Sequence, residues 1–364
     1  MFFGEELPWQ HFIKLNNIRK LPLREQKEYY NRYLNDLNTQ RMWAQIGAAN
    51  GGESTSTPAV PQALRLLFDD IENANLLVGD ASNLEDWNTF FDLPTYGTPF
   101  TSVTVVGNEV ELFGGGNIIL KESLFGDSIY GVNLIEFVDE SGCIVELEYN
   151  VFGDDNLGYG CENLTTVSLP NCLIAAGYCF INCDSLVNLS LPLLTEAGPS
   201  CFGSCTLLTN TDWLNLNAIG YACFFGTNIS SLNLPSLTVL TDGMFGGMFQ
   251  LTSTDDISAP ALTNPTSLPN YLFSACTQLA TVNFPTLINV GEQCFFQCTS
   301  LTSISLPLCT NLGGTVGDND VFLNITGNTI TLTVPSALMT ADAGNPDGDI
   351  AYLQANNTVT IVTV

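Results

Sequence analysis

A β-rich solenoid is the fold class this chain predicts, and three observations predict it. Cys161, Cys183 and Cys205 stand 22 residues apart, and the Cys-Phe pairs beginning at Cys179, Cys201 and Cys223 keep the same step. Cys276 to Cys298 and Phe273 to Phe295 repeat that period further along the chain. Within each unit a strand motif ends at proline, as in Leu164-Val167-Leu169-Pro170, Leu279-Val282-Phe284-Pro285 and Leu301-Ile304-Leu306-Pro307. A fixed period between 20 and 50 residues marks stacked supersecondary units, and L-x-x-L-x-L is the leucine-rich-repeat strand. The whole unit reads C-x-x-L-x-x-V/I/L-x-L-P-x-L-x-x-h-G-x-x-C-F-x-x-C, with h apolar.

Taken in order, residues 1–20 form an irregular arm with Phe2, Phe3, Trp9 and Phe12 as apolar anchors. Pro22 suits the first turn of a helix, which runs from Leu23 to about Ala49. Its apolar stripe is Leu23, Tyr30, Leu34, Leu37, Trp43 and Ile46, and basic and acidic residues occupy its other faces. The helix can dock on the body, self-associate or bind another protein. The Gly/Ser/Thr/Pro-rich stretch that follows, ending with residues 51–61, reads as a flexible linker. Residues 1–50 are therefore expected to anchor the protein to something else. The stripe would suit a homo-oligomer such as a trimer, although Lys27 and Arg41 break its heptads.

Residues 62–130 are expected to cap the solenoid. Gln62 to Leu76 and Asp86 to Phe91 read as short helices. Ser102–Val106, Glu109–Phe113 and Ile118–Leu120 alternate as strands, separated by Gly107-Asn108 and by Gly114-Gly115-Gly116. Units stack over residues 131–335, where Leu134 to Phe152 is a degenerate first copy. Two units are lengthened: Phe245 to Phe273 spans 28 residues and Phe295 to Phe322 spans 27. Such insertions map to loops on one side of a solenoid. In residues 336–364 a polar loop leads to a strand, Thr358 to Val364, that is expected to close the last open edge.

The charges are unevenly placed. Of 9 Lys and Arg, seven lie within the first 41 residues. From residue 122 onward there are none, against 22 Asp and Glu, a net charge of −22. Such a surface repels nucleic acid and anionic lipid. The N-terminus lacks the apolar run of a cleaved leader, and no stretch reaches the roughly 18 apolar residues of a membrane span. The chain is expected to remain in the cytoplasm where it is made, or to leave by a route other than general secretion.

Catalytic chemistry finds little to build on. The one histidine, His11, lies far from the repeats, so Ser-His-Asp and Cys-His arrangements are excluded there. Asp69-Asp70, Asp154-Asp155 and Asp255-Asp256 are adjacent acids of the kind that solvated loops carry, and neither a phosphate loop nor a dinucleotide fingerprint occurs. The twelve cysteines lie between positions 143 and 309, and their columns alternate with Met244, Met248, Leu272 and Thr227. Those replacements fill space and bind no zinc, so a ladder of buried thiols is expected rather than metal sites or disulfides. Asp318 and Asp320, or Asp342, Asn345, Asp347 and Asp349, could be considered for calcium, but the second run fails the EF-hand spacing and solvated loop acids are expected. No cofactor and no metal is expected.

The strand motif buries Leu164, Val167, Leu169 and their equivalents. It turns Thr166, Ser168, Asn188, Ser190, Ser231, Asn233, Thr281, Asn283, Ser303 and Ser305 outward. With about 4.8 Å between neighbouring strands, eight or nine units make a rod of roughly 40 Å with an uncharged Ser/Thr/Asn face. That face is the candidate binding surface.

The C-F-x-x-C-x-x-L-x-x-L/I/V-x-L-P unit, as in Cys179 to Pro192 and Cys294 to Pro307, resembles the BspA-like leucine-rich repeats of bacterial surface proteins. The resemblance covers about residues 131–335 and implies adhesion or protein binding rather than catalysis. The layout, with Trp87 to Thr101 ahead of the repeats and NPDGDIAYLQANNTVTI after them, is also similar to repeat proteins of bacteriophages infecting Bacteroidetes. These resemblances imply a non-enzymatic virion structural protein, made in the host cytoplasm and displayed on the virion surface. Its residues 1–50 would contact other capsid or tail proteins, and its repeat body would contact host glycan or protein. The alternative is a bacterial cell-surface adhesin of the BspA-like type.

Overall fold

The computed structural model describes residues 62–364, apart from 79, 94, 96, 126–132, 155–159, 210–212, 263–264, 314–319, 343 and 345. The expected arm, anchor helix and linker lie outside the described residues.

The described chain opens with β1 (Gln62–Phe68), α1 (Ile71–Val78) and α2 (Leu84–Phe90). Then come β2 (Thr98–Val106), β3 (Glu109–Gly116) and β4 (Ile118–Leu120). The repeats supply short strands in alternation: β5 (Leu134–Val138), β6 (Ile144–Leu147), β7 (Thr166–Ser168), β8 (Ile174–Ala175), β9 (Asn188–Ser190), β10 (Glu196–Ala197), β11 (Ala218–Ile219) and β12 (Leu232–Asn233). After a 3-10 turn at Thr254–Asp256 follow β13 (Ile257–Ser258), β14 (Thr281–Asn283), β15 (Asn289–Val290), β16 (Ser303–Ser305), β17 (Asn311–Leu312) and β18 (Thr329–Val334). A 3-10 helix at Ser336–Thr340, α3 (Gly348–Asn356) and β19 (Thr358–Thr363) complete the described chain.

Each coil contributes to two parallel ladders because its motif has two buried stretches. The L-x-V-x-L stretch forms one ladder, ordered β2-β3-β1-β5-β7-β9, then β12-β13, then β14-β16-β18-β19. The stretch before the regularly spaced glycine forms the other, ordered β4-β6-β8-β10-β11 and then β15-β17. Registers repeat without slippage where the period is 22: Thr166 faces Asn188, Val167 faces Leu189 and Ser168 faces Ser190. The solenoid is therefore a leucine-rich-repeat body with parallel sheets.

The Phe at the Cys-Phe position of each unit, preceded in some units by Leu, Val or Met instead of Cys, runs through the core as a stack. Phe125, Phe152, Phe180, Phe202 and Phe224 lie with ring centroids 5.2 to 5.6 Å apart and nearly parallel planes. Phe245, Phe273, Phe295 and Phe322 form a second run at 5.7 to 5.8 Å. Offset aromatic pairs of this kind add about 0.5–1.5 kcal/mol each beyond the area they bury.

The N-terminal part differs from its sequence expectation. Gln62 to Phe68 is a strand, not a helix, because Leu64, Leu66 and Phe68 are buried on one side of a sheet while Arg65 and Leu67 are half-buried on the other. β1 sits between β3 and β5, antiparallel to both. Arg65 joins the three strands, its guanidinium 2.9 Å from Glu136, 3.5 Å from Glu109 and 3.9 Å from Glu140. The expected helix near Asp86 is α2, capped by the Asn83 side chain, with Trp87 buried and its Nε1 donating to the Ala81 carbonyl. Gly114 to Gly116 continue β3 rather than ending it.

Two further corrections concern the C-terminal part. The expected polar loop contains α3, begun by Asp347 as N-cap and held by buried Ile350 and Leu353. β19 adds to β18 over six pairs but is itself the outermost strand of its sheet. The edge is thus moved outward, not closed.

Candidate functional site: the outward strand face

The outward side chains of the first ladder follow from period-two alternation on a half-buried sheet. Thr166 and Ser168 on β7 flank buried Val167, and Asn188 and Ser190 on β9 flank buried Leu189. Asn188 Nδ2 donates to Thr166 Oγ1 at 3.3 Å, so neighbouring coils tie their outward side chains together. Thr281 and Asn283 on β14 pair with Ser303 and Ser305 on β16 in the same manner. Eight of the ten sequence-predicted face residues thus fall into two registered groups of four.

Ser231 and Asn233 stand apart. Asn233 belongs to β12, Ser231 precedes it, and β12 pairs with β13 rather than with either group. Trp213 takes the place that Leu191 holds one unit earlier, and it packs its indole against Phe202 and Phe224 at 4.9 and 5.6 Å. The 3-10 turn at Thr254–Asp256 then displaces the strand of the next lengthened unit. Among the described residues the outward strands form three panels, β5-β7-β9, β12-β13 and β14-β16-β18-β19, and residues 210–212, between the first two, lie outside the described residues. The face is not wholly uncharged, because Glu136 on β5 lies in register with Thr166.

The C-terminal panel extends beyond the sequence prediction. Thr331 and Thr333 on β18 face Ser303 and Ser305, and Thr360 on β19 faces Thr331. Thr329 faces Thr358 at the start of the same two strands. Thr329, Thr331, Thr358 and Thr360 are exposed, and Ser303, Ser305 and Thr333 are half-buried. The T-x-T-x-T spelling of Thr329 to Thr333 carried the signal, since alternation alone places all three hydroxyls on one side. In the panel, hydroxyl and amide groups recur at about 4.8 Å across strands and about 6.8 Å along them.

The side chains behind the face are chemically quiet. All twelve cysteines are buried and unbridged. Burial raises the Cys276 thiol to about 12 and the Cys309 thiol to about 11, far from the thiolate that a nucleophile or a zinc ligand needs. Cys183, Cys205, Cys276 and Cys298 each donate Sγ–H to the carbonyl of the Phe in an earlier coil, at 3.0 to 3.5 Å. Among the described residues no three His, Cys, Asp or Glu side chains gather closely enough to hold a metal ion. No helix among them is long and apolar enough to cross a membrane.

The model of the BspA type leucine rich repeat region matches residues 154–252 and 247–340, in six copies. The chain belongs to that family. Among solved structures it is similar to a leucine-rich repeat protein from Bacteroides ovatus ATCC 8483, 18% identical, covering 71% of this chain and 67% of that one with a TM-score of 0.39. It is also similar to a leucine rich cell surface protein from Faecalibacterium prausnitzii A2-165, 13% identical, covering 72% and 87% with a TM-score of 0.26. No curated protein matches the chain. Residues 1–153 and 341–364 lie outside the family match.

Proposed function

We propose that this chain is a non-enzymatic, surface-displayed binding protein whose repeat body attaches to glycan or protein through its outward Ser/Thr/Asn panels. The observation that carries this reading is the C-terminal panel, where neutral hydrogen-bonding groups stand in strict register on a rigid parallel ladder. Pre-ordered donors and acceptors lose little side-chain freedom on contact, which suits recognition of repetitive hydroxylated ligands. A body of net charge −22 discourages indiscriminate attachment to nucleic acid or anionic membrane. Residues 1–50 would hold the protein to its carrier.

Membership of the BspA-type repeat family favours a bacterial cell surface as that carrier. A second reading is a virion structural protein of a Bacteroidetes-infecting bacteriophage, held to capsid or tail by residues 1–50. The observation favouring it is the crowding of seven of nine basic residues into the first 41 positions, ahead of a Gly/Ser/Thr/Pro stretch. Immunogold microscopy on the source culture, with antibody to residues 122–364, separates them. Gold on the cell envelope is the expected result, and gold on capsids or tails with bare cells would install the second reading. Glycan and protein arrays probed with the full chain test attachment itself. A hit lost in a variant carrying Thr331→Val and Ser303→Ala is expected, and blank arrays would overturn the binding role.

A further inference from the structure

The lengthened unit that starts at Met248 departs from its neighbours in a way that opens its core. Counting from Met248, Thr254 stands where the unit starting at Cys183 has Leu189. The 3-10 turn at Thr254–Asp256 then interposes three residues, so Pro260 lies twelve positions after Met248 while Pro192 lies nine after Cys183. The turn is well fixed: Ser253 N donates to the Asp256 carboxylate at 2.9 Å, and Asp255 N donates to Ser253 Oγ at 3.1 Å. Thr254 spends its hydroxyl oxygen on Asn283 N at 3.0 Å. The next strand, β14, meets this coil through a single bridge between Ser253 and Thr281, with Ala280 N and Thr281 N donating to the Thr252 carbonyl at 2.8 and 3.2 Å.

This leaves a cavity of about 280 Å³ between the coil of β13 and the coil of β14. Its floor is buried Phe245, Leu272 and Phe273, and half-buried Leu240, Leu262 and Phe284 form its sides. Exposed Asp255 and Asn283 supply the polar part of its mouth. Leu262 shows what the insertion displaced: Leu194, two residues after its own proline, is fully inside, while Leu262 in the same place is half-open to solvent.

We propose that this cavity is a binding site for a free aryl-alkyl amine, a single aromatic ring with an ammonium group one or two carbons away. Pockets for drug-sized ligands run from about 300 to 1,000 Å³, so this one takes a single ring and little more. Three Phe side chains offer the edge and face contacts that a ring prefers. The Asp255 carboxylate sits at the mouth, and no Lys or Arg follows residue 121 to offset it. The field there attracts an ammonium and repels a carboxylate of the same shape. The cavity shares Asn283 with the C-terminal panel, and changes at Asp255 or Ala259, outside the residues of that panel, test it apart from the attachment role.

The test uses the full chain, with isothermal calorimetry and ligand-observed NMR on 2-phenylethylamine and phenylacetate. The amine is expected to bind saturably at roughly millimolar concentration, in keeping with its size, and the acid at least about three- to fivefold more weakly. Asp255→Asn should erase that preference while leaving ring binding in place. Ala259→Trp, which fills the cavity, should abolish binding of both, and Leu240→Trp serves if the first variant fails to fold. Equal affinity for amine and acid, no saturable amine binding, or full binding in a folded cavity-filled variant would each overturn the proposal.

Discussion

Gly198, Gly220 and Gly291 occupy one column of the repeat, and each lets its coil touch the backbone of the coil before. A Cβ at Gly198 would lie 2.4 Å from the Gly177 nitrogen, one at Gly220 2.4 Å from the Pro199 nitrogen, and one at Gly291 2.5 Å from the Pro269 carbonyl carbon. Backbone cannot step aside as a side-chain tip can, so Gly220→Ala should cost about 2–4 kcal/mol in urea unfolding. Gly226 provides the contrast. It holds φ at +71° but has nothing closer than 3.5 Å to its Cβ position, so Gly226→Ala should cost only about 1–2 kcal/mol. Equal losses would mean that the column glycine serves the turn and not the close approach. The glycine and cysteine columns were both legible as spacing. What each residue does was not, because the Gly220 contact and the Cys205 Sγ donation to the Phe180 carbonyl arise between coils, and stacking distance is not written in any one unit.

At the scale of elements, the misread segments share a cause. Leu64, Leu66, Leu67, Phe68 and Ile71 satisfy both a helical and an alternating pattern, and the vacancy between β3 and β5 decides for the strand. The α3 segment is punctuated by Asn, Pro, Asp and Gly, which spell a loop locally. Burial of Ile350 and Leu353 overrides that spelling. The same helix carries an acid with an unusual environment. Asp349 is fully buried, its Oδ1 accepts from Phe322 N at 3.3 Å, and its Oδ2 has no hydrogen-bond partner. Burial above all, and then the carboxylates of Asp347 and Asp320, raise it to about 7. Because the folded state holds this proton more tightly than the unfolded chain, stability should fall as pH rises from about 4 to 7 and level off above. The effect is at most on the order of 4 kcal/mol. Thermal melts should show the wild type losing roughly 5 °C between pH 5 and pH 8 that Asp349→Asn does not lose. An identical slope in the variant would assign the pH dependence to Asp139, Asp184 or Asp347, whose burial raises them in the same direction.

Over the whole molecule, the period of 22 foretold a solenoid, and its lengthened units foretold where loops would depart from it. The unit of 28 residues is a seam in that face, where β13 and β14 fall in different sheets. The size of the cavity at that seam could not be read, since it depends on where displaced Ile257 and Leu262 settle. The ladder has one more consequence, a mechanical one. Its strands lie across the rod, so a pull along the rod loads the hydrogen bonds between coils in sequence rather than all at once. Each coil that peels away would exchange about 4.8 Å of rod for roughly 70 Å of extended chain. Stretched between two ends in a force spectrometer, the body should therefore yield in a sawtooth of low, evenly spaced steps of about that length, with wider steps at the two lengthened units. A single all-or-none rupture would mean that the coils share load across the seam. A tether built in this way absorbs a sudden tug by lengthening, and it stays attached where a stiff one would be torn off.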